Sequence, residues 1–170
     1  MFNFIGVIFI IFLASTAVGT MPALKGRYPF PFILIYFALV SVVPVIVGIV
    51  LGAAFLFWLP AFLFKVALFI LSLFMVAYFL QLYHPSYGYI PHNSKGYLFI
   101  LSFFFFLLGI EFASYGFSAW FLLLVIPISV VGLLLGFIFM TRMIIYFRYL
   151  SVIHFVPIGL FLFVGILKLI

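Results

Sequence analysis

The chain has 170 residues, of which 71% are hydrophobic, 24% aromatic and only 5% charged. A soluble domain carries about 25% charged residues, so this composition cannot supply a water-soluble surface, and its hydrophobicity equally excludes a disordered chain. Seven Lys and Arg stand against one acid, Glu111, and cysteine is absent. Paired-carboxylate catalysis, disulfides, thiolate metal sites and thiol nucleophiles are therefore excluded.

What remains is an all-α, polytopic transmembrane helical bundle, a single integral-membrane domain over residues 1–170. A spanning helix needs about 20 mainly apolar residues, and six stretches qualify. The first is Phe2 to Leu24. It resembles a signal-peptide core at Ile5 to Leu13, followed by the small residues Ala14-Ser15-Thr16-Ala17, but it has no basic n-region and is read as a span. The second runs from about Phe30 to Ala54 and the third from about Pro60 to Tyr83, with Pro60 marking the restart. The fourth is about Gly96 to Tyr115, the fifth about Phe117 to Met140 and the sixth about Tyr149 to Ile170, with Gly116 breaking the fourth from the fifth. None shows the alternation of a barrel strand. Five spans with one re-entrant or strongly tilted piece is the alternative, because Pro29 to Phe64 is one uncharged, almost wholly apolar run.

With six spans, Lys25, Arg27, Lys95, Arg142 and Arg148 fall in loops on one side, whereas Lys65 and Lys168 lie inside helix ends at the other. Basic loops mark the cytoplasmic side or its organelle equivalent, which places both termini outside, in a plasma membrane or an organelle inner membrane. The aromatic belts agree. Trp58 and Trp120 occupy the outer turns, and Tyr28, Tyr83, Tyr87, Tyr89, Tyr97, Tyr146 and Tyr149 the inner face. The net charge of +6 is a topology signal. It forms no stripe, so no nucleic-acid partner is expected.

Gly48 and Gly52 in the second span, and Gly132 and Gly136 in the fifth, are spaced for close helix approach in lipid. Each pair follows a proline, Pro44 or Pro127, and the two pairs lie about half a chain apart. Two halves of three spans would have opposite topology, the layout of inverted-repeat transporters. Plain close packing is the simpler account. Pro157 predicts a kink in the sixth span. The run Phe103 to Phe106 covers every face of one helical turn and suits lipid or subunit contact.

Few residues can carry chemistry. Glu111 lies about five residues before the outer end of the fourth span, and an intramembrane carboxylate is a functional candidate by default. Lys65 lies equally deep in the third span, about 7 Å below the same interface at 1.5 Å per residue. The expectation is a Lys65–Glu111 pair, structural or serving a proton or cation site. His84, His92 and His154 all fall near the inner face and admit a haem or metal site in principle, although no carboxylate lies nearby to orient an imidazole. Interfacial hydrogen bonding is their simpler role. Arg142 and Arg148 are expected to anchor in headgroups or against a partner. Ser15, Thr16, Ser41, Ser72, Ser102, Ser129 and Ser151 lack a base and an orienter, and are expected to bond to their own helices. No phosphate loop, nucleophile elbow or dinucleotide fingerprint is present.

The first functional expectation is a non-catalytic integral membrane subunit of a larger complex. In length and hydrophobicity the chain is similar to small membrane subunits of respiratory and other energy-converting complexes, without a residue motif of any one of them. The alternative is a small transporter or channel with Glu111 as proton or cation site, which would need a polar pathway. The second alternative is a His-ligated haem or metal redox protein. Bound lipid and other membrane subunits are the expected partners, and no cofactor is expected.

Overall fold

A computed structural model of the chain describes residues 2–24, 30–55, 58–84, 88–89, 96–116, 119–147 and 151–169. Among these, six helices are long and apolar enough to cross a bilayer. They are α1 (Phe2–Ala23), α2 (Phe30–Phe55), α3 (Ala61–Leu82), α4 (Gly96–Ser114), α5 (Leu122–Tyr146) and α6 (Val156–Leu169). In hydrocarbon every backbone N–H and C=O must be satisfied within the protein, which is why uninterrupted apolar runs fold this way.

The joints follow local chemistry. Pro60 sits immediately before α3 with extended backbone (φ −65°, ψ 136°), where its missing N–H costs nothing. Gly116 ends α4 at φ +77°, and its N–H bonds the carbonyl of Ala113 at 2.9 Å. That left-handed turn favours glycine. Two boundaries differ from the sequence expectation. The fifth span opens with a 3-10 turn at Ala119–Phe121, and α5 then runs on to Tyr146, so Arg142 lies on the helix and not beyond it. Pro157 marks the second difference. It stands in the first turn of α6, directly after a 3-10 segment at Ser151–Phe155, where a proline lacks no hydrogen bond.

Helices next to each other in sequence are not the main partners. α1 lies along α5 and α2 along α4, with further extensive contacts α3–α6, α1–α6, α3–α4 and α2–α5. Both glycine pairs sit at the first two crossings. A Cβ on Gly48 would stand 3.0 Å from Gly109 Cα and collide with the carbonyl of Phe106, and one on Gly52 would stand 2.7 Å from Ala113 Cβ. A Cβ on Gly132 would stand 2.8 Å from the carbonyl oxygen of Phe12, and one on Gly136 would collide with Thr16. Gly19 on α1 and Gly109 on α4 face the same crossings from the other side, against Leu133 and Val45. Gly48 meets Phe106 and Gly109 while Gly52 meets Ile110 and Ala113, so α2 runs parallel to α4, and α1 and α5, both odd-numbered spans, likewise run the same way. By contrast Ser72 faces Gly165 while Phe79 stacks on Phe161 at 6.1 Å, so α3 and α6 are antiparallel.

Exchanging α1, α2, α3 for α4, α5, α6 leaves this set of neighbours unchanged. The pair α1–α5 becomes α4–α2, α1–α6 becomes α4–α3, and α3–α6 and α2–α5 map onto themselves. A slight α1–α2 contact is the exception. The core at the α3–α4–α6 meeting is aromatic, with Phe104 edge-on to Phe161 at 5.9 Å. In the run Phe103 to Phe106 only Phe104 and Phe105 are buried, and Phe103 is exposed.

Two predictions follow from the crossings. Gly48→Ala and Gly136→Ala each press a methyl into a neighbouring backbone, and each should destabilise the folded chain by ~1–3 kcal/mol in detergent-solubilised thermal or denaturant unfolding. Gly6 and Gly159 have nothing near a built Cβ, and Gly159→Ala should stay within about 0.5 kcal/mol of the native chain or improve on it.

Candidate functional site

Glu111 is fully buried (0% exposed) near the end of α4. Its partner is Lys168 in the last turn of α6, itself 3% exposed, whose Nζ donates to Oε2 in a buried salt bridge. The expected Lys65–Glu111 pair is thus corrected: depth admits both lysines, and the helix packing selects Lys168. Lys65 is half-buried in the first turns of α3. The expectation leaned on α3 and α4 being consecutive antiparallel helices. α4 and α6 are parallel, not consecutive, and bring Glu111 and Lys168 to one level.

The rest of the site is supplied by the α4 end. Tyr115, one turn past Glu111, donates its hydroxyl to Oε1 at 3.3 Å. Burial, and then the neighbouring carboxylate, push the Tyr115 phenol up to about 12, so it remains a neutral donor at physiological pH. Ser114 donates to the carbonyl oxygen of Glu111 at 2.6 Å. The Lys168 ammonium stands 5.6 Å from the centroid of the Phe112 ring, a cation–π distance. Phe112 packs edge-on against Phe121 at 6.0 Å, which closes this end of the bundle. Trp58 (69% exposed) and Trp120 (78% exposed) lie in the connections at the same end, as an interfacial belt requires. The Trp58 indole N–H donates to the carbonyl of Phe55 at 2.9 Å.

The opposite end is closed differently. His84 and Gly88 exchange two backbone hydrogen bonds, 3.1 and 2.8 Å. Tyr89 follows this bridge directly. Tyr89 is fully buried and donates its hydroxyl to the backbone carbonyl of His154 at 2.6 Å. The reading of Tyr89 as an interfacial ring is therefore corrected, since its hydroxyl finds a carbonyl inside the protein and needs no water. Burial, and then Tyr83, raise its phenol above the ordinary value. Tyr83 packs against His154 at 6.0 Å and Phe155 at 5.3 Å. Nothing in the sequence marked Tyr89, because only the turn at Gly88 turns it inward.

Of the histidines, His84 is exposed and His154 half-buried at this end. His92 lies outside the described residues, as do Arg148, Lys25, Arg27, Lys95, Tyr28, Tyr87 and Tyr149. Among the described residues no group of three His, Cys, Asp or Glu stands where a metal could be held. Arg142 is exposed on α5. Comparison with protein-family models, with curated proteins and with solved structures finds no match for this chain.

Most hydroxyls turn onto their own helices. Thr16 donates to Phe12, Ser41 to Phe37 and Ser72 to Phe69, at 2.7, 3.0 and 2.8 Å. Among the described residues Ser15 Oγ, at the α1–α5 crossing, is the buried side-chain atom without a partner. Among the described residues the ion pair inside the bundle is Lys168–Glu111.

The pair can be tested by separating its members. Lys168→Met leaves Glu111 buried and unpaired, and should cost ~3–5 kcal/mol in unfolding experiments, whereas Lys65→Met should cost less than about 1 kcal/mol. The double variant Glu111→Gln with Lys168→Met should recover most of the loss. Tyr89→Phe should cost ~0.5–1.5 kcal/mol in the same assay.

Proposed function

We propose that the chain is a small multi-pass transporter in which Glu111 exchanges protons, with Lys168 as its built-in counter-ion. The observation that carries this reading is the burial of the chain's single carboxylate in an ion pair between α4 and α6. Intramembrane ionisable residues are costly and mark ion pathways by default. A proton suits the site better than a metal cation. The carboxylate already carries the Lys168 ammonium, whose positive charge disfavours a metal ion. A proton takes Glu111 from charged to neutral and releases Lys168, with Tyr115 the remaining donor at the carboxylate. The half-exchange pattern of helix neighbours supports the reading, since inverted repeats are a common build of transporters.

The basic loops and the exposed Arg142 favour the end of the bundle that carries them as the cytoplasmic face, with both termini outside. An apolar groove beside Pro44, lined by Val43, Val47, Phe99 and Phe103, suits a lipid acyl chain.

The test is proton flux. Purified protein in liposomes with a trapped pH indicator should dissipate an imposed pH gradient faster than the Glu111→Gln variant reconstituted at equal density. Equal rates in the two preparations would remove the reading. A second reading, a non-catalytic subunit of a larger membrane complex, is favoured by hydroxyls bonded to their own helices, which leave an apolar interior among the described residues. Gentle solubilisation separates the two readings: partner chains in fixed ratio support the subunit, and a homogeneous particle of this chain alone removes it.

A further inference from the structure

The exchange of halves extends from helices to residues. At the α2–α4 crossing a Cβ on Gly48 collides with the carbonyl of Phe106, and one on Gly109 with the carbonyl of Val45. At the α1–α5 crossing a Cβ on Gly136 collides with the carbonyl of Thr16, and one on Gly19 with that of Leu133. One arrangement is thus made twice. Gly48 and Val45 answer to Gly136 and Leu133, both 88 residues on, and Thr16 and Gly19 answer to Phe106 and Gly109, both 90 residues on. α3 and α6 meet at Ser72 and Gly165, which are 93 residues apart. Burial repeats at that spacing: Phe64, Leu68, Ser72 and Met75 are buried on α3, and Pro157, Phe161, Gly165 and Lys168 on α6. A contact between two counterparts lies on the two-fold axis that exchanges them. The axis therefore passes through the Ser72–Gly165 contact, midway along α3 and so in the plane of the bilayer.

The residues agree at the spacings that the contacts set. At 90 residues Gly6, Phe9, Ile10, Gly19 and Ala23 recur as Gly96, Phe99, Ile100, Gly109 and Ala113. At 88 residues Ser41-Val42-Val43 recurs as Ser129-Val130-Val131, and Gly48 as Gly136. Inward positions coincide too: Ile11 with Leu101, Val18 with Leu108 and Val45 with Leu133 are all buried. The glycine pairs do not match pair on pair, which hides the repeat in the sequence. Gly52 answers to Met140, and Gly132 to Pro44. That last departure has a visible effect. A Cβ on Gly132 would stand 2.8 Å from the Phe12 carbonyl oxygen, so there the helices touch. Pro44 and Ser102, the counterparts of Gly132 and Phe12, instead border the apolar groove.

We propose that the chain is an inverted internal duplication whose buried ion-pair site is built twice and charged once. Glu111 is the counterpart of Met21, and Lys168 of Met75. The first members form the ion pair at the tryptophan end. Met21 and Met75 are 1% and 0% exposed and belong to the apolar core, and Met21 lies near the end of α1 that faces away from the tryptophans. Three spans in each half invert the second half, so the two-fold axis carries one membrane face onto the other. Methionine, unbranched and adaptable, fills such a space without electrostatic cost. The scaffold therefore fixes where a buried carboxylate and ammonium fit near each face, and the chain charges one of the two places. The inference goes beyond the exchange reading and does not need Glu111 to move protons.

Copying the pair onto its twin tests this in the full-length protein. Met21→Glu alone and Met75→Lys alone each bury an unpaired charge, and each should lower the thermal midpoint in detergent by ~10 °C. Combined, they should recover most of the loss. Met21→Glu with Leu68→Lys sets the ammonium at another buried position of α3, about 10 Å along the helix, and should recover nothing. A Met21→Glu, Met75→Lys double that is no better than the sum of its singles, or no better than the Leu68→Lys control, overturns the proposal. Where the charged variants do not accumulate, thiols replace them, since the chain has no cysteine of its own. A short, neutral bifunctional methanethiosulfonate should join Met21→Cys with Met75→Cys in membranes to a similar extent as Glu111→Cys with Lys168→Cys, read from the mass of the intact chain. Joining of the second pair without the first overturns the proposal. Proton movement by the native chain is decided separately, by its liposome comparison with Glu111→Gln, so either reading can fail without the other.

Discussion

The whole arrangement depends on backbone meeting backbone at glycines. Lipid tails are as apolar as leucine, so no hydrophobic force draws spanning helices together, and close packing must do it. Gly48, Gly52 and Gly109 bring α2 and α4 to van der Waals contact, and Gly19, Gly132 and Gly136 do the same for α1 and α5. These pairings are between parallel helices, so the members of each pair must be separated in sequence by an odd number of helices, three between α1 and α5 and one between α2 and α4. Once α1–α5 and α2–α4 are locked, α3 and α6 are left to meet each other. That meeting brings the last turn of α6 to the end of α4, and Lys168 to Glu111.

A buried ion pair in such a setting is electrostatically delicate. Desolvating two charges costs several kcal/mol per ion, and the return comes from their mutual attraction, the Tyr115 hydroxyl on the second carboxylate oxygen and the Phe112 ring beneath the ammonium. With those supports the pair is neutral as a unit. The opposite end achieves closure without charge, through a phenol donating to a carbonyl and a cluster of rings. One end of the bundle is thus held by an ion pair and the other by aromatic packing.

Much of this was legible in the residues. Six apolar runs, Pro60 before α3 and Gly116 after α4 follow from helix chemistry that operates within a few residues. Glu111 stood out because a lone intramembrane carboxylate has no bland explanation in composition. Its partner was not legible, because Lys65 and Lys168 lie at similar depth and depth was the only coordinate available. Tyr89 escaped for a related reason: a tyrosine in a connecting loop has the composition of an interfacial ring, and only the His84–Gly88 turn points it inward. Pro157 stands where a 3-10 segment passes into α6, a change of helix type that the apolar run did not mark.

By itself the sequence determined what solvent the chain needs, where it crosses that solvent, which glycines must touch something and which acid must find a partner. These are properties of single segments: hydrocarbon accepts only apolar helices of sufficient length, and a buried carboxylate must be paired. Only the tertiary structure decided which helices touch. Each spanning helix is apolar almost all round, so no polar face orients it, and its neighbours are chosen by the fit of small residues against a particular backbone. That choice brought the end of α4 within side-chain reach of the last turn of α6, gave Glu111 to Lys168 and not to Lys65, and packed helices distant in sequence more closely than consecutive ones.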